Sequence, residues 1–463
     1  MRKMRSLSNS RRFARRRAGL PPVEIQQLET RILPAGVVSI LADANGNVTV
    51  TGDSASNIVE IVIDGAGVRA TGFDGTRIRF DGNTFAEGEE VQLPLQETNQ
   101  MRVALKGGND GFFLTIDGER NVTVAQNVTI ELSSGDDDVE ISIAEGSSLD
   151  VRGAVVIDGS SGNDTIEIFG AGFLSVEKAF DIKAGTGNDA VLVDVGSLDV
   201  FDNFTVNGNF GNDVISLFLE DASLGDVRIQ TGSGNNKVEF VVEGEYAEVD
   251  GSLVVEGGSA VDTVVIGGTA ALNELLDDGV FDDLNGGNEF YVGRDLLVST
   301  GSGADVVVLA GVSVTRDLSV ATGSSDDVIA ASDLEAGQDV NFRTDAGNDR
   351  VFADTIDAGR HLRVDTGAGN DDLVLEDLFL GDATGLVDIK MGAGNDDFAV
   401  RGETTIGGGV ISIKVSGGTG IDDLLGPEVF AEVATSFEGE LGDENVDDIV
   451  DAIIDDILDV LVV

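Results

Sequence analysis

The sequence predicts an all-β fold: a parallel β-helix, or solenoid, of about 13 coils of 22–27 residues, with an amphipathic C-terminal capping helix. Three observations predict it. A Gly-rich turn recurs along the chain, at Gly185-Thr186-Gly187-Asn188-Asp189 and again around Asp213, Asp305, Asp349, Asp371 and Asp396. Weaker copies surround Asp110, Asp137, Asp164, Asn236, Asp262, Asp327 and Asp422. Most steps are 22 to 27 residues, with one gap of 43 between Asp262 and Asp305. A fixed period in this range marks repeat architecture, in which no coil buries its apolar face alone. The second observation is period-two alternation between the turns, and the third is the change of pattern at both ends.

The first element, residues 1–35, is a basic leader. Arg2, Lys3, Arg5, Arg11, Arg12, Arg15, Arg16 and Arg17 stand there with no acid before residue 18. No apolar run of signal-peptide length follows, so no cleavable secretory signal is recognised and the stretch reads as a disordered tail. Residues 36–105 hold strands without good turn copies, such as Val59–Ile63 and Arg77–Phe80, and read as an N-terminal cap with irregular first coils.

Residues 106–430 are the repeats. Four coils from Asp295 to Leu378 keep a strict 22-residue step and show the columns. Leu296, Leu318, Val340 and Leu362 align; so do Val298, Val320, Phe342 and Val364, and then Thr300, Thr322, Thr344 and Thr366. Polar residues alternate with them, which places the apolar ones inside. The threonine column reads as an inward hydroxyl stack. After the turn, Val307, Ile329, Val351 and Leu373 form a second inward column, and Val312, Leu334, Ile356 and Leu378 a third ridge. The 43-residue gap leaves about 20 extra residues at 267–290, either one degenerate coil or an excursion from the rod.

Residues 431–463 form the last element, an acidic helix. Val446, Ile449, Val450, Ile453, Ile454, Ile457, Leu458 and Leu461 fall at helical spacing, with Asp447, Asp448, Asp451, Asp455, Asp456 and Asp459 opposite. Such a helix would lay its stripe over the last coil and shield its edge.

Composition limits function. Of 463 residues, 84 are acidic and 29 basic, a formal charge of -55. That disfavours nucleic acid and anionic membrane, which need a basic face, and favours cations. No stretch is long enough to insert in a membrane. Without Cys and with one His, thiol chemistry is excluded, and His361 has no partner for a triad or a zinc site. Arg294, Arg316 and Arg360 share a column that could meet an acidic polysaccharide, but Asp295, Asp317 and Asp339 beside them neutralise it. A carbohydrate-active β-helix enzyme of the polysaccharide-lyase type, or a polysaccharide-binding module, is the rival reading. The lyase needs a non-repeating cluster of cations and carboxylates, which the sequence does not present.

The turn resembles the hemolysin-type (RTX-like) calcium-binding repeat. The best matches are Gly367-Ala368-Gly369-Asn370-Asp371-Asp372-Leu373 and Gly392-Ala393-Gly394-Asn395-Asp396-Asp397-Phe398. The resemblance implies Ca²⁺ held by turn carbonyls and the carboxylates of Asp189, Asp213, Asp305, Asp349, Asp371 and Asp396. The family places two nonapeptides in an 18-residue coil; one copy per longer coil allows a calcium row on one edge only. Without metal, the same residues make Asx turns, with Asn163, Asn188, Asn212, Asn235, Asn348, Asn370 and Asn395 stacked as an amide ladder. The degraded copies read as turns alone.

Leu28-Glu29-Thr30-Arg31, behind the basic leader, is similar to the Leu-Glu-x-Arg motif of bacterial exported solenoid proteins. Asp459 followed by Val460, Leu461, Val462 and Val463 is similar to the end of type I secreted proteins. The expectation is an exported or cell-surface rod, structural or adhesive and not an enzyme, with calcium and cell-surface polysaccharide or protein as partners.

Overall fold

The computed structural model describes residues 36–94, 98–269, 290–381, 385–406, 412–420, 422–425 and 437–439. By compactness the chain divides into Met1–Pro34 and Ala35–Val463. The leader and the C-terminal helix expected over 446–461 lie outside the described residues.

The fold is all-β, a parallel solenoid of about 11 turns. Among the described residues, thirty-five strands join in one hydrogen-bonded sheet. The 22-residue step seen in the sequence is the register itself. Leu296 pairs with Leu318, that with Val340, and that with Leu362. Val298, Val320, Phe342 and Val364 stack the same way, each at most 1% exposed. Val312, Leu334, Ile356 and Leu378 form the third inward column. Where the columns are aromatic the rings stack, with Phe180 and Phe204 4.9 Å apart and 17° from parallel. Parallel in-register stacking repeats each apolar residue at ~4.8 Å, so like packs on like along a continuous core.

A corner divides the longer strand of each coil. Gly311, Asp333, Thr355 and Asp377 stand there with φ of 64°, 50°, 51° and 41°. Left-handed backbone is uncommon for a β-branched residue such as Thr355. The residues on either side of the corner stay paired from coil to coil, Ala310 with Ser332 and Val312 with Leu334, so the bend repeats in register.

At the N-terminal end, antiparallel strands block the open edge. Asn47–Thr51 pairs in parallel with Gln100–Ala104 on one side and antiparallel with Val37–Ala42 on the other. Ile58–Asp64 likewise pairs with Gly111–Ile116 and, antiparallel, with Gly67–Phe73. The first coil therefore offers these edges to no second chain, which is how a stacked sheet avoids end-to-end growth.

The long gap adds no coil to the stack, because the strands on both sides of it pair with the same next strand, Val306–Val314. Gly267 pairs with Ala310, and Phe290 pairs with Val312. The residues between Gly267 and Phe290 therefore stand where one corner residue, Gly311, stands in the next coil. Residues 270–289 lie outside the described residues.

Candidate functional site: the stacked turns

Every turn must pass close over its neighbours, and glycine permits it. A Cβ on Gly369, at φ 154°, would come 1.4 Å from the carbonyl oxygen of Gly347 in the coil before. A Cβ on Gly211 would come 1.5 Å from that of Gly187. The turns stack at backbone contact, so the two residues after the glycine face their counterparts at one strand spacing.

The first of the two makes an outward ladder. Asn188 NH donates to Asn163 Oδ1 at 2.9 Å, Asn212 NH to Asn188 Oδ1 at 2.8 Å and Asn235 NH to Asn212 Oδ1 at 2.8 Å. Val261 and Ala304 interrupt the column after Asn235, and Asn370 and Asn395 resume it from Asn348. In degraded turns Asp136 and Asp326 take the same place.

The second residue, the aspartate, makes an inward ladder. Asp189, Asp213, Asp305, Asp349, Asp371 and Asp396 are each at most 2% exposed. The sequence held the signal for this. Asp305, Val307 and Leu309 share one parity, as do Asp349, Val351 and Ala353, and Val307 and Val351 are inward. Each Oδ1 accepts the backbone NH of the aspartate in the coil before: Asp164 NH to Asp189 at 2.8 Å, Asp305 NH to Asp327 at 2.8 Å, Asp349 NH to Asp371 at 3.0 Å. The ladder runs from Asn57 to Asp396, and Asp110, Asp137, Asp164, Asn236, Asp262 and Asp327 are equal members. Sequence quality of the turn therefore does not separate the members. The two ladders run oppositely: the asparagine ties its turn to the coil after, the aspartate to the coil before.

The other carboxylate oxygen is less well served. Oδ2 of Asp110, Asp137, Asp164, Asp189 and Asp213 is buried without a hydrogen-bond partner, while at Asp305, Asp327, Asp349 and Asp371 the buried Oδ2 lacks a well-formed bond but the hydroxyl of Thr300, Thr322, Thr344 or Thr366 stands close enough to favour the charged carboxylate. Asp262 is an exception, its Oδ2 accepting the NH of Gly258 at 2.9 Å. The threonine column lies alongside. Thr300, Thr322, Thr344 and Thr366 are at most 1% exposed, and Thr300 and Thr344 donate to the carbonyls of Thr322 and Thr366.

Burial raises the carboxyl pKa values, because removing water penalises the charged form. It pushes Asp164 and Asp349 to about 7, and Asp110, Asp213, Asp262 and Asp327 to about 6. The backbone NH of Asp137 pulls the other way at Asp164, as do the Thr344 hydroxyl and then the Asp327 NH at Asp349, and neighbouring ladder aspartates add to the rise at both.

The fit to calcium is partial. Calcium takes six to eight oxygens. At nine turns the ladder brings one buried carboxylate oxygen that no backbone NH takes up, with its neighbour one coil away. Among the described residues, no three His, Cys, Asp or Glu gather around one point.

The arginine column is neutralised by earlier coils, two back for Arg294, which reaches past Gly251, and one back for Arg316 and Arg360. Arg294 meets Asp226 at 3.7 Å, Arg316 meets Asp295 at 3.5 Å, and Arg360 meets Asp339 at 2.7 Å. Burial pushes Asp339 up, but hydrogen bonds from Arg360 and Arg363 outweigh it and hold the carboxyl below its usual value. His361 is half-buried, and its Nδ1 accepts the NH of Leu386 at 3.1 Å.

Compared with protein-family models, with curated proteins and with solved structures, the chain matches none. Among the described residues no helix is long and apolar enough to cross a membrane.

Proposed function

We propose that this chain is a non-enzymatic acidic rod, exported or displayed on a bacterial cell surface, acting in structure or adhesion. The observation that carries the reading is the repeat of one turn along the solenoid, with exposed Asn and Asp carried from coil to coil on either side of a break at Val261 and Ala304. A repeated surface suits repeated, weak contacts with an extended partner such as a surface polysaccharide or protein. Calcium belongs to the reading through the resemblance of the turns. Asp189, Asp213, Asp305, Asp349 and Asp371 would contribute the buried Oδ2, with Asp396 in the same column.

Two experiments test it. Antibody labelling of intact, unpermeabilised cells of the producing organism should stain the surface; signal only after lysis would remove the localisation. Incubation with acidic and neutral polysaccharides should give retention on some of them without turnover. Steady release of unsaturated or shortened products would replace this reading with the polysaccharide-lyase one.

A further inference from the structure

One stretch of the turn edge is free of charge. Ser161-Gly162-Asn163, Thr186-Gly187-Asn188, Phe210-Gly211-Asn212 and Ser233-Gly234-Asn235 stand one above another. Ser259-Ala260-Val261 follows, tied on by the bond from Val261 NH to Asn235 Oδ1 at 3.3 Å. The residues that lead into these turns, Ser160, Gly185, Asn209, Gly232 and Gly258, are uncharged too. The chain as a whole is 24% charged, so an ordinary stretch of this size would carry several charges. Beyond it the asparagine place is taken by Asp136 on one side and Asp326 on the other. Apolar surface also stays open here. Among the described residues eight large apolar side chains are exposed, and three of them stand on this stretch: Phe210 at 64%, Val214 at 42% and Val261 at 39%. The partners of Phe210 in register are the small hydroxyl residues Thr186 and Ser233, so its ring projects past its row. A lone exposed phenyl ring would need no explanation; one set in a neutral strip with two exposed valines does. The polar rim of the strip is rich in donors. Oδ1 of Asn188, Asn212 and Asn235 accepts the NH of Asn212, Asn235 and Val261. Among the described residues no protein acceptor meets the Nδ2 groups of those three asparagines.

We infer that this strip, centred on Phe210, is a contact point for a neutral polysaccharide: one sugar ring lies face-on against the Phe210 ring, and its hydroxyls accept from the Nδ2 groups of Asn188, Asn212 and Asn235. The inference rests on the reading of the rod as one that holds an extended polymer, and adds the place and the class of polymer. A sugar ring shows C–H groups on its faces and hydroxyls on its rim. A phenyl ring meets the face without leaving a polar group unpaired, and the amide donors meet the rim. Ligand sites use this mix of aromatic surface and a few placed polar groups. Charge selects the class. A chain of formal charge -55 repels an acidic polymer on approach, and the strip has no cation to hold one. Lys237, in register with Val214, is already paired with Glu239 at 3.4 Å. A neutral chain meets no such penalty, because the aspartates of these turns, Asp164, Asp189 and Asp213, are buried beneath the strip at 1–2% exposure. Size disfavours a second folded chain. Five coils at ~4.8 Å and a turn of three or four residues give about 19 Å by about 10 Å. That is about 200 Å², against roughly 800 Å² per partner in a stable protein interface. A narrow polymer running along the turns needs no more.

The test is native electrophoresis of the full chain through gels cast with dextran, a β-glucan or a mannan as neutral probes, and with polygalacturonate as the acidic one. Mobility is read against a gel without polysaccharide. Retardation is expected in at least one neutral gel and not in polygalacturonate. Two variants copy this chain's own turns and so keep the fold. Phe210→Ser reproduces Ser161 and Ser233 of the same column. Asn212→Asp reproduces Asp136 and Asp326, keeping the Oδ1 acceptor and losing the Nδ2 donor. Phe210→Ser should raise the apparent Kd at least tenfold and Asn212→Asp at least threefold, while Phe210→Trp should bind as well as wild type or better. Retardation that Phe210→Ser leaves unchanged would overturn this site and leave the polymer-binding rod standing. Retardation by polygalacturonate alone would overturn the neutral class. No retardation in any gel would remove the inference together with the polysaccharide part of the reading it rests on. Sedimentation covers the remaining alternative: a wild-type dimer that Phe210→Ser dissociates would assign the strip to a second copy and overturn the inference.

Discussion

The backbone NH of Asp349 donates to the carboxylate Oδ1 of Asp371, one coil on, at 3.0 Å. The two residues do not meet side chain to side chain. Each lends one carboxylate oxygen to the coil before and its own NH to the coil after. A turn residue that looks like a metal ligand in one dimension is a structural tie in three. What the tie leaves over is a buried second oxygen, and the predictions concern that atom.

Replacing Asp371 with asparagine should stabilise the rod at pH 8 by about 1 kcal/mol, and by less as pH falls. Asn236 already shows the geometry. Its Oδ1 accepts the NH of Asp213 at 2.9 Å, while its Nδ2 donates to Gly234 O and to Asp262 Oδ1. Asp371→Leu removes the acceptor and strands the buried NH of Asp349, costing about 1–3 kcal/mol. Melting of both variants at pH 5 and pH 8 checks this. Equal losses for Asn and Leu at both pH values would refute the role given to Oδ1.

The ladder makes stability fall as pH rises. Folded-state pKa values near 6 for Asp110, Asp213, Asp262 and Asp327 and near 7 for Asp164 and Asp349 exceed the ordinary 3.8. The folded chain thus binds more protons than the unfolded one between those values. The contribution is fully present below pH 3.8 and is lost as pH rises through 6 to 7. Asp164 is faced by Asp136, Asp137 and Asp189, and Asp349 by Asp327, Asp371 and Thr344; no cation stands among them. Melting temperature should therefore drop from pH 5 to pH 8, a window that stays above the sequence pI of 4.1. A rise across that window would contradict the raised values.

Calcium is tested by calorimetry after chelator treatment, on wild type and on Asp371→Asn. Binding should release heat and raise the melting temperature by mass action, as RT ln(1 + [L]/Kd). Matched NaCl controls for simple screening of carboxylate repulsion. Silence at millimolar calcium, with melting indifferent to chelator, would leave the turns as hydrogen-bonded ladders and remove the metal from the functional reading.

The core columns are intolerant of charge. Phe342 is 1% exposed between Val320 and Val364. Phe342→Asp places an unpaired carboxylate there and should cost more than about 4 kcal/mol, read as a collapse of the urea midpoint. Gly369→Ala should be comparably severe, because its methyl would overlap the Gly347 carbonyl. A near-wild-type midpoint for either would mean that the coils are not stacked in this register.

Much of the fold was legible because a solenoid writes its contacts into a period. The 22-residue step that aligns Val298 with Val320 and Phe342 in sequence is the same step that pairs them in space. The glycine-asparagine pattern likewise foretold the outward amide ladder, since identical residues stacked in register can meet only their own kind. The inward parity of Asp305 and Asp349 could be counted from Val307 and Val351, yet polarity argued against it; only the backbone NH of the coil before makes a buried aspartate acceptable there. Three features needed the tertiary structure. The antiparallel strands at Val37–Ala42 and Gly67–Phe73 share no period with the coils they cover. That the gap after Gly268 adds no coil was settled by which strands pair across it. Val308 and Phe352 have outward parity and yet are at most 1% exposed, which alternation alone does not foretell. Period fixes the contact of a residue with its own copy one coil away; it carries no information about a segment that crosses the coils from elsewhere in the chain.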